Sequence, residues 1–344
     1  MSRLKVLSFL MVVVLLAVAG CGTTPEAEPT EAMAQPTEPQ QAATEPAQPT
    51  QVMQSDLTFG MAVHSNPAED AFWAVVEKGA KDAAAQFGVE LISGGSSDPV
   101  EQAQLVENLI ANDVDGIFVS LANPDALRDA VTKAVDAGIP VITINSGVDV
   151  YKELGAMTHV GQTEFVAGQG AGEKFNAEGA TKVLCVIHEE GNIGLEQRCD
   201  GLADTFNGEV ERFNVATTGV RDVAGTVSAI QNKLISDEAI DGILSLNPVI
   251  AMAALDAINA AGRDVMLATF DLSPDVLTAI QNGEMLFAID QQQYLQGYLP
   301  VVFLYLYNVN LNTVGGGQPV LTGPGIVDQS NAAQVQDLAA QGTR

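Results

Sequence analysis

Four apolar runs of strand length in this 344-residue chain end on a polar side chain. Residues 265–270 lead to Asp271, 140–144 to Asn145-Ser146, 242–246 to Asn247, and 285–290 to Gln291. A buried parallel strand reads this way, and the residue after its carboxyl end faces a crevice. Arg198 lies early in a helical pattern, where the helix dipole favours acids, so a functional role suits it better than serving the helix. Asp70 stands just ahead of Phe72-Trp73 at another helix start, and Asn192 ahead of a third. Carboxylate, amide and guanidinium groups beside an aromatic face can hold one polar ligand that also has C–H surface. Each residue has a plainer reading as well. Asp70, Asn192 and Asn247 can cap helices, Asn145-Ser146 can form an Asx-turn, and Phe72 and Trp73 can be core. His64 and His188 also end strands, and both a structural role and a ligand contact stay open for them.

Other chemistry is missing from the pattern. There is no H-x-x-x-H, C-x-x-C or EF-hand spacing, so no metal is expected. Neither G-x-S-x-G nor a Walker motif occurs, and no spacing sets two carboxylates across a bond, so neither an enzyme nor a cofactor is expected. Gly168-Gln-Gly-Ala-Gly172 is not a dinucleotide fingerprint; it lies within a helical pattern and reads as close helix packing.

The elements that would position these residues alternate strand and helix. Strands are predicted at 57–63, 89–93, 115–121, 140–145 and 156–160, with helices at 69–87, 99–110 and 124–137 between them. A second series follows: helices at 163–177, 193–206, 222–235, 248–261 and 274–282 among strands at 181–187, 210–216, 241–246, 265–270 and 286–289. A long apolar helix spans 294–308, a last strand 320–327 and a short helix 331–340. Two such series imply an α/β fold of two doubly wound parallel-sheet lobes.

Length and composition agree with two domains, at roughly 100–200 residues each. Net charge is −28, from 43 acidic against 15 basic residues, which repels phosphates and makes nucleic acid an unsuitable partner. Residues 1–21 read as a processing segment: Arg3 and Lys5, an apolar stretch over 7–19, then Leu16-Ala-Val-Ala-Gly-Cys21. That ending resembles the lipobox of bacterial lipoproteins, which implies cleavage before Cys21 and its lipidation. Residues 22–55 are rich in Thr, Pro, Glu, Ala and Gln and read as a disordered tether. Cys185 and Cys199 remain, in an exported setting, as a disulfide or as two small buried groups.

The ordered elements carry five local stretches that together resemble the periplasmic sugar-binding proteins of ribose- and galactose-type ABC importers. They are Asp70-Ala-Phe-Trp-Ala-Val-Val-Glu-Lys-Gly79, Ala137-Gly-Ile-Pro-Val-Ile-Thr143, Glu196-Gln-Arg198, Thr269-Phe-Asp271 and Phe287-Ala-Ile-Asp-Gln291. The resemblance covers about residues 57–330. It implies a type I periplasmic binding protein with three crossovers, near Gly161-Gln162, Gln291-Gln292 and Val320. The lobes would then be 56–161 plus 292–319 and 162–291 plus 320–344. It further implies that a sugar or sugar alcohol binds between closing lobes, held by Asp70, Phe72, Trp73, Asn145, Ser146, Asn192, Arg198, Asn247, Asp271 and Gln291. The implied partners are ABC permease subunits and the membrane outer face through the lipid; the chain would be a monomer. A ligand receptor for sugar-sensing signalling would use the same fold. The sequence departs from the ribose pattern at Asn145-Ser146, where that pattern has Asp-Arg. The galactose-type calcium loop has no counterpart. The second lobe carries Val220 or Arg221 where many relatives place a stacking aromatic, which leaves room for a linear polyol or small ketose.

Overall fold

The computed structural model describes residues 55–215 and 219–344. The expected signal segment with Cys21, and the tether up to residue 54, lie outside the described residues.

The first lobe begins β1 (Thr58–Val63), α1 (Ala71–Phe87), β2 (Glu90–Gly95), α2 (Pro99–Ala111), β3 (Gly116–Ser120), α3 (Pro124–Asp136), β4 (Val141–Asn145) and β5 (Thr158–Gly161). The second runs α4 (Glu164–Glu178), β6 (Lys182–Ile187), α5 (Ile193–Thr205), β7 (Glu209–Asn214), α6 (Val223–Ser236), β8 (Gly242–Ser245), α7 (Pro248–Ala261), β9 (Met266–Phe270), α8 (Pro274–Asn282) and β10 (Phe287–Asp290). Then come α9 (Gln293–Asn310), β11 (Val320–Leu321), β12 (Gly325–Asp328) and α10 (Ala332–Ala340). The sheets are ordered β2-β1-β3-β4-β5-β11 and β7-β6-β8-β9-β10-β12. All pairings are parallel except β10 with β12. The reading of two doubly wound α/β lobes is therefore what the chain adopts.

Both sheets are covered on both faces, as parallel sheets require. Along β1 the side chains of Phe59, Met61 and Val63 join the core under α1 and α9, while Ala62 joins the core under α2 and α3. In the second lobe Val183, Cys185 and Ile187 pack under α4 and α5, and Leu184 and Val186 under α6 and α7. Fully burying each large apolar side chain contributes about 1.5–3 kcal/mol.

The helix ends follow the caps in the sequence. Asp98 caps α2 and Ser273 caps α8, each with Pro at the first turn. α9 returns to the first lobe and lies tightly on α1. A Cβ on Gly79 would stand 2.1 Å from the Tyr294 carbonyl oxygen, and one on Gly297 would stand 1.8 Å from that of Val76. The Gly168 to Gly172 run does the same between α4 and α5: a Cβ on Gly168 would lie 2.1 Å from the Arg198 carbonyl oxygen.

One element differs from the sequence reading. The strand predicted over 320–327 is two strands that serve different sheets. Val320–Leu321 pairs with β5 in the first sheet, and Gly325–Asp328 pairs antiparallel with β10 in the second. The third passage between lobes therefore falls at residues 322–324, near Val320. Pro324 has no N–H to continue a ladder. Gly315–Gly317 forms a short 3-10 turn.

Of the two readings of the cysteines, the disulfide holds: Cys185 on β6 joins Cys199 on α5. It closes a loop 14 residues apart in sequence, which removes about 3 kcal/mol worth of freedom from the unfolded chain. A Cys185→Ala/Cys199→Ala variant should lose stability on that order in urea unfolding; an unchanged midpoint would show that the bond contributes nothing.

Candidate functional site

The carboxyl ends of the strands of both sheets meet across one cleft. Asn145 is the last residue of β4 and Asp271 follows β9, at matching places in the two sheets. Both adopt a left-handed backbone, with φ of 60° and 70°. Asn and Asp tolerate that region better than most non-glycine residues, and strain of about 1–3 kcal/mol is kept where it aims a side chain. The same device in each lobe turns a polar group into the cleft.

A chain of hydrogen bonds joins these ends across the lobes. Ser146 Oγ donates to Asn145 Oδ1 at 3.1 Å, and Asn145 Nδ2 donates to Gln291 Oε1 at 3.1 Å. Gln291 Nε2 donates in turn to Asp271 Oδ1 at 2.7 Å. Gln296, on α9, braces the chain by donating to Gln291 Oε1 at 2.8 Å. Satisfied buried networks of this kind are rigid.

Arg198 is built in more firmly still. α5 begins at the Asn192 cap and presents Arg198 to the second-lobe wall, beside the Cys199 disulfide. Glu164, in the first turn of α4, takes its Nε at 2.6 Å and Nη2 at 3.2 Å. The guanidinium lies 4.3 Å over the Phe270 ring, and Nη1 donates to the Leu246 carbonyl at 3.4 Å. Burial opposes the guanidinium charge, but Glu164 outweighs it and holds the Arg198 pKa above its ordinary value. A bidentate partner and an aromatic face can offset the desolvation of such an ion.

On the first-lobe side, Asp70 Oδ1 accepts the Phe72 N–H at 2.9 Å and so caps α1. Phe72 and Trp73 stand edge-to-face with centroids 5.0 Å apart, and His64 meets Trp73 at 4.8 Å. The rings are 9% and 2% exposed, so most of each is core and only a rim is left for a ligand. Across the cleft, Asn192 Nδ2 donates to Glu189 Oε2 at 2.7 Å, and His64 Nε2 lies 3.6 Å from that oxygen. The lobes touch in front of the cavity: the Ile193 N–H donates to the Ala122 carbonyl at 3.1 Å, and Gln197 Nε2 to Asp149 Oδ2 at 2.6 Å.

The cavity so enclosed has about 370 Å³ of empty space including its mouth. Such a space suits one small molecule. It is lined by Asp70, Phe72, Trp73, Asn145, Ser146, Asn192, Arg198, Asn247, Asp271 and Gln291, which are the residues that the sequence singles out. Several of the alternatives left open there prove compatible, since Asp70, Asn192 and Asn247 cap helices and line the cavity at once. His64 and His188 line it too, along with Glu189, Leu195 and Leu246. Sequence reasoning missed Glu164, Glu189 and Gln296. Glu189 stood in the Glu-Glu-Gly-Asn stretch beside Asn192, which was a usable signal; Glu164 looks like an ordinary acid in a first helical turn.

Burial dominates the titration of the wall. It pushes the Asp271 carboxyl up to about 7, against the pull of Arg198 and the Gln291 hydrogen bond. Burial, with the Glu189 charge, raises Asp70 to about 6. Burial lowers His188 to about 4, so that its ring is neutral near pH 7.

Residues 60–308 match a family described as the periplasmic binding protein domain. The xylose/arabinose-binding protein XylF of Sulfolobus acidocaldarius is 25% identical over 310 residues, covering 85% of this chain and 74% of that one. The ribose import binding protein RbsB of Haemophilus influenzae is 28% identical over 258 residues, 72% of this chain and 84% of that one. A solved carbohydrate transporter from Acidothermus cellulolyticus 11B, in complex with myo-inositol, is 41% identical with a TM-score of 0.81, covering 84% of this chain and all 100% of that one.

The raised Asp271 carboxyl has a measurable consequence. A carboxyl that binds its proton more tightly when folded loses stability as pH rises from the unfolded value towards the folded one. Between about pH 4 and about pH 7 the folded protein therefore sheds stability through this group. Asp271→Asn should raise the melting temperature above that of the parent at about pH 8, by an amount that shrinks towards about pH 4. A variant that melts below its parent at the higher pH would contradict this account.

Proposed function

The chain belongs to the periplasmic binding protein domain family, and we propose that it is the substrate-binding component of an ABC importer that takes a small cyclic sugar alcohol or sugar. The observation that carries the reading is the wall of the cavity. Asp271, Asn247, Gln291 and Arg198 on one side and Asn145, Ser146 and Asp70 on the other offer acceptors and donors from strand ends and helices of both lobes. A ring of hydroxyls needs such an array, and its C–H face suits the rims of Phe72 and Trp73 with Leu195 and Leu246. The myo-inositol complex of the 41% identical relative supports a cyclic polyol.

The ten residues act in two groups. Those of one lobe bind first, and closure adds the others, so the contacts made only when closed shift the population towards the closed form. The Ser146–Asn145–Gln291–Asp271 chain stands where the two groups join. On this reading the bound molecule is delivered unchanged. Lipidation of Cys21 would hold the protein at the outer face of the cytoplasmic membrane, with residues 22–55 as tether, and several acyl chains suffice for stable anchoring.

Calorimetry against myo-inositol, scyllo-inositol, pentoses and hexoses should find saturable binding of at least one, with the molecule recovered intact by mass spectrometry. Asn247→Ala should weaken that binding about tenfold or more, as expected for losing one or two buried hydrogen bonds. Turnover of the sugar, or binding untouched by that change, would refute the reading. Separately, Cys21→Ser should release the protein from membranes into the soluble fraction. Retention there would refute the lipid anchor without touching the binding function.

A further inference from the structure

Charge and hydrogen-bond capacity in the cavity do not balance. Arg198 is the sole guanidinium or ammonium lining it among the described residues, and Glu164 already neutralises that charge. Glu189 faces His64 and accepts from Asn192. Asp70 and Asp271 remain, one from each lobe, both nine-tenths or more buried; among the described residues neither makes a direct ion pair, although the Arg198 charge acts on Asp271. Asp271 receives the Gln291 amide on one oxygen, and Asp70 receives the backbone of its own helix and the Ser65 side chain.

The wall is also rich in acceptors. His188 is 8% exposed, lines the cavity, and its Nδ1 is buried without a hydrogen-bond partner. The Asn145 amide hydrogens are directed to Gln291 and Gln296, and that of Asn192 to Glu189 and His64, so two natural donors face the protein instead of a ligand. A hydroxyl donates one hydrogen bond and accepts two, whereas a protonated amine donates three and accepts none.

One way into the cavity has the same character. A vestibule with about 1000 Å³ of empty space shares Asp70, Phe72, Asn247 and Asp271 with it. Glu69, Asp256 and Asp275 add three carboxylates to its wall, Met252 and Leu272 form apolar surface, and among the described residues no base lines it. Arg221 stands outside, at the other, polar opening, 4.0 Å from Glu69.

We propose that the polyol this site is built for carries a protonated amine in place of one hydroxyl, held between Asp70 and Asp271 where the cavity meets the vestibule. The inference rests on the polyol reading above and narrows its substrate class to an amino-polyol. The raised pKa values of Asp70 and Asp271 agree with it, since burial opposes both charges, Glu189 adds to the effect at Asp70, and the Arg198 charge that pulls on Asp271 is shared with Glu164.

The test compares scyllo-inositol with scyllo-inosamine, in which an amine replaces one hydroxyl, by calorimetry on the full chain near neutral pH. The amine should bind at least about tenfold more tightly than its parent, as charge-assisted hydrogen bonds exceed neutral ones. In Asp70→Asn and in Asp271→Asn the ratio of the two affinities should fall towards one. An amine that binds no better than its parent overturns this inference and leaves the polyol reading standing. A preference that survives both substitutions overturns it as well, and binding of neither compound overturns both. The ratio in the unsubstituted protein is decisive even if a variant fails to fold.

Discussion

The second-lobe wall of the cleft depends on one buried ion pair, Arg198 with Glu164. An isolated guanidinium at 4% exposure would be very costly, so its place is secured by everything around it. Glu164 reaches it because α4 and α5 touch backbone to backbone at Gly168 and Gly201, where a side chain would collide with carbonyl oxygens. The adjacent disulfide ties α5 to β6 and fixes the helix about its axis. Phe270 gives the guanidinium a face to lie on, and the next residue is Asp271. Helix packing, cross-link and ion pair thus converge on the geometry of one strand end.

The two lobes reach the same result by the same route. Their first five strands are arranged in one order, 2-1-3-4-5, and the fourth strand of each ends in a residue of left-handed backbone, Asn145 or Asp271. A parallel sheet collects its strand ends on one edge, so a polar residue there costs no core packing and faces the partner lobe. What differs is the chemistry at the equivalent places. Asn145 is neutral and spends its hydrogens on Gln291 and Gln296, while Asp271 keeps a carboxylate oxygen free. Asn145-Ser146 stands where the ribose pattern has Asp-Arg, an exchange that removes one charge of each sign and leaves the net charge of the wall as it was.

Closure is tied to these groups through Gln291. It lies where the chain leaves β10 for α9, accepts from Asn145 and Gln296, and donates to Asp271. A passage between lobes is the segment that bends when they move, so a ligand that engages Asp271 acts next to the pivot. Thr322, at the third passage, joins the same cluster by accepting from Gln296 Nε2 at 3.3 Å.

The sequence alone determined the alternation of strand and helix, the two-lobe α/β class and the polar residues of the cleft, because each is a local signal. A strand end is visible where an apolar run meets Asp271 or Asn145, and a cap where Asp98 or Ser273 precedes Pro. Partnership was not visible, because it joins residues far apart in the chain at angles set by packing. Glu164 and Arg198 are 34 positions apart, and Asn145 and Gln291 are 146 apart. The same limit left the cysteines undecided until β6 and α5 brought them together, and merged into one strand the segment that Val320–Leu321 and Gly325–Asp328 divide between two sheets. Local pattern chose which side chains reach the cleft. Only the tertiary structure decided which of their charges and hydrogen bonds are already satisfied there, and therefore what a ligand must bring.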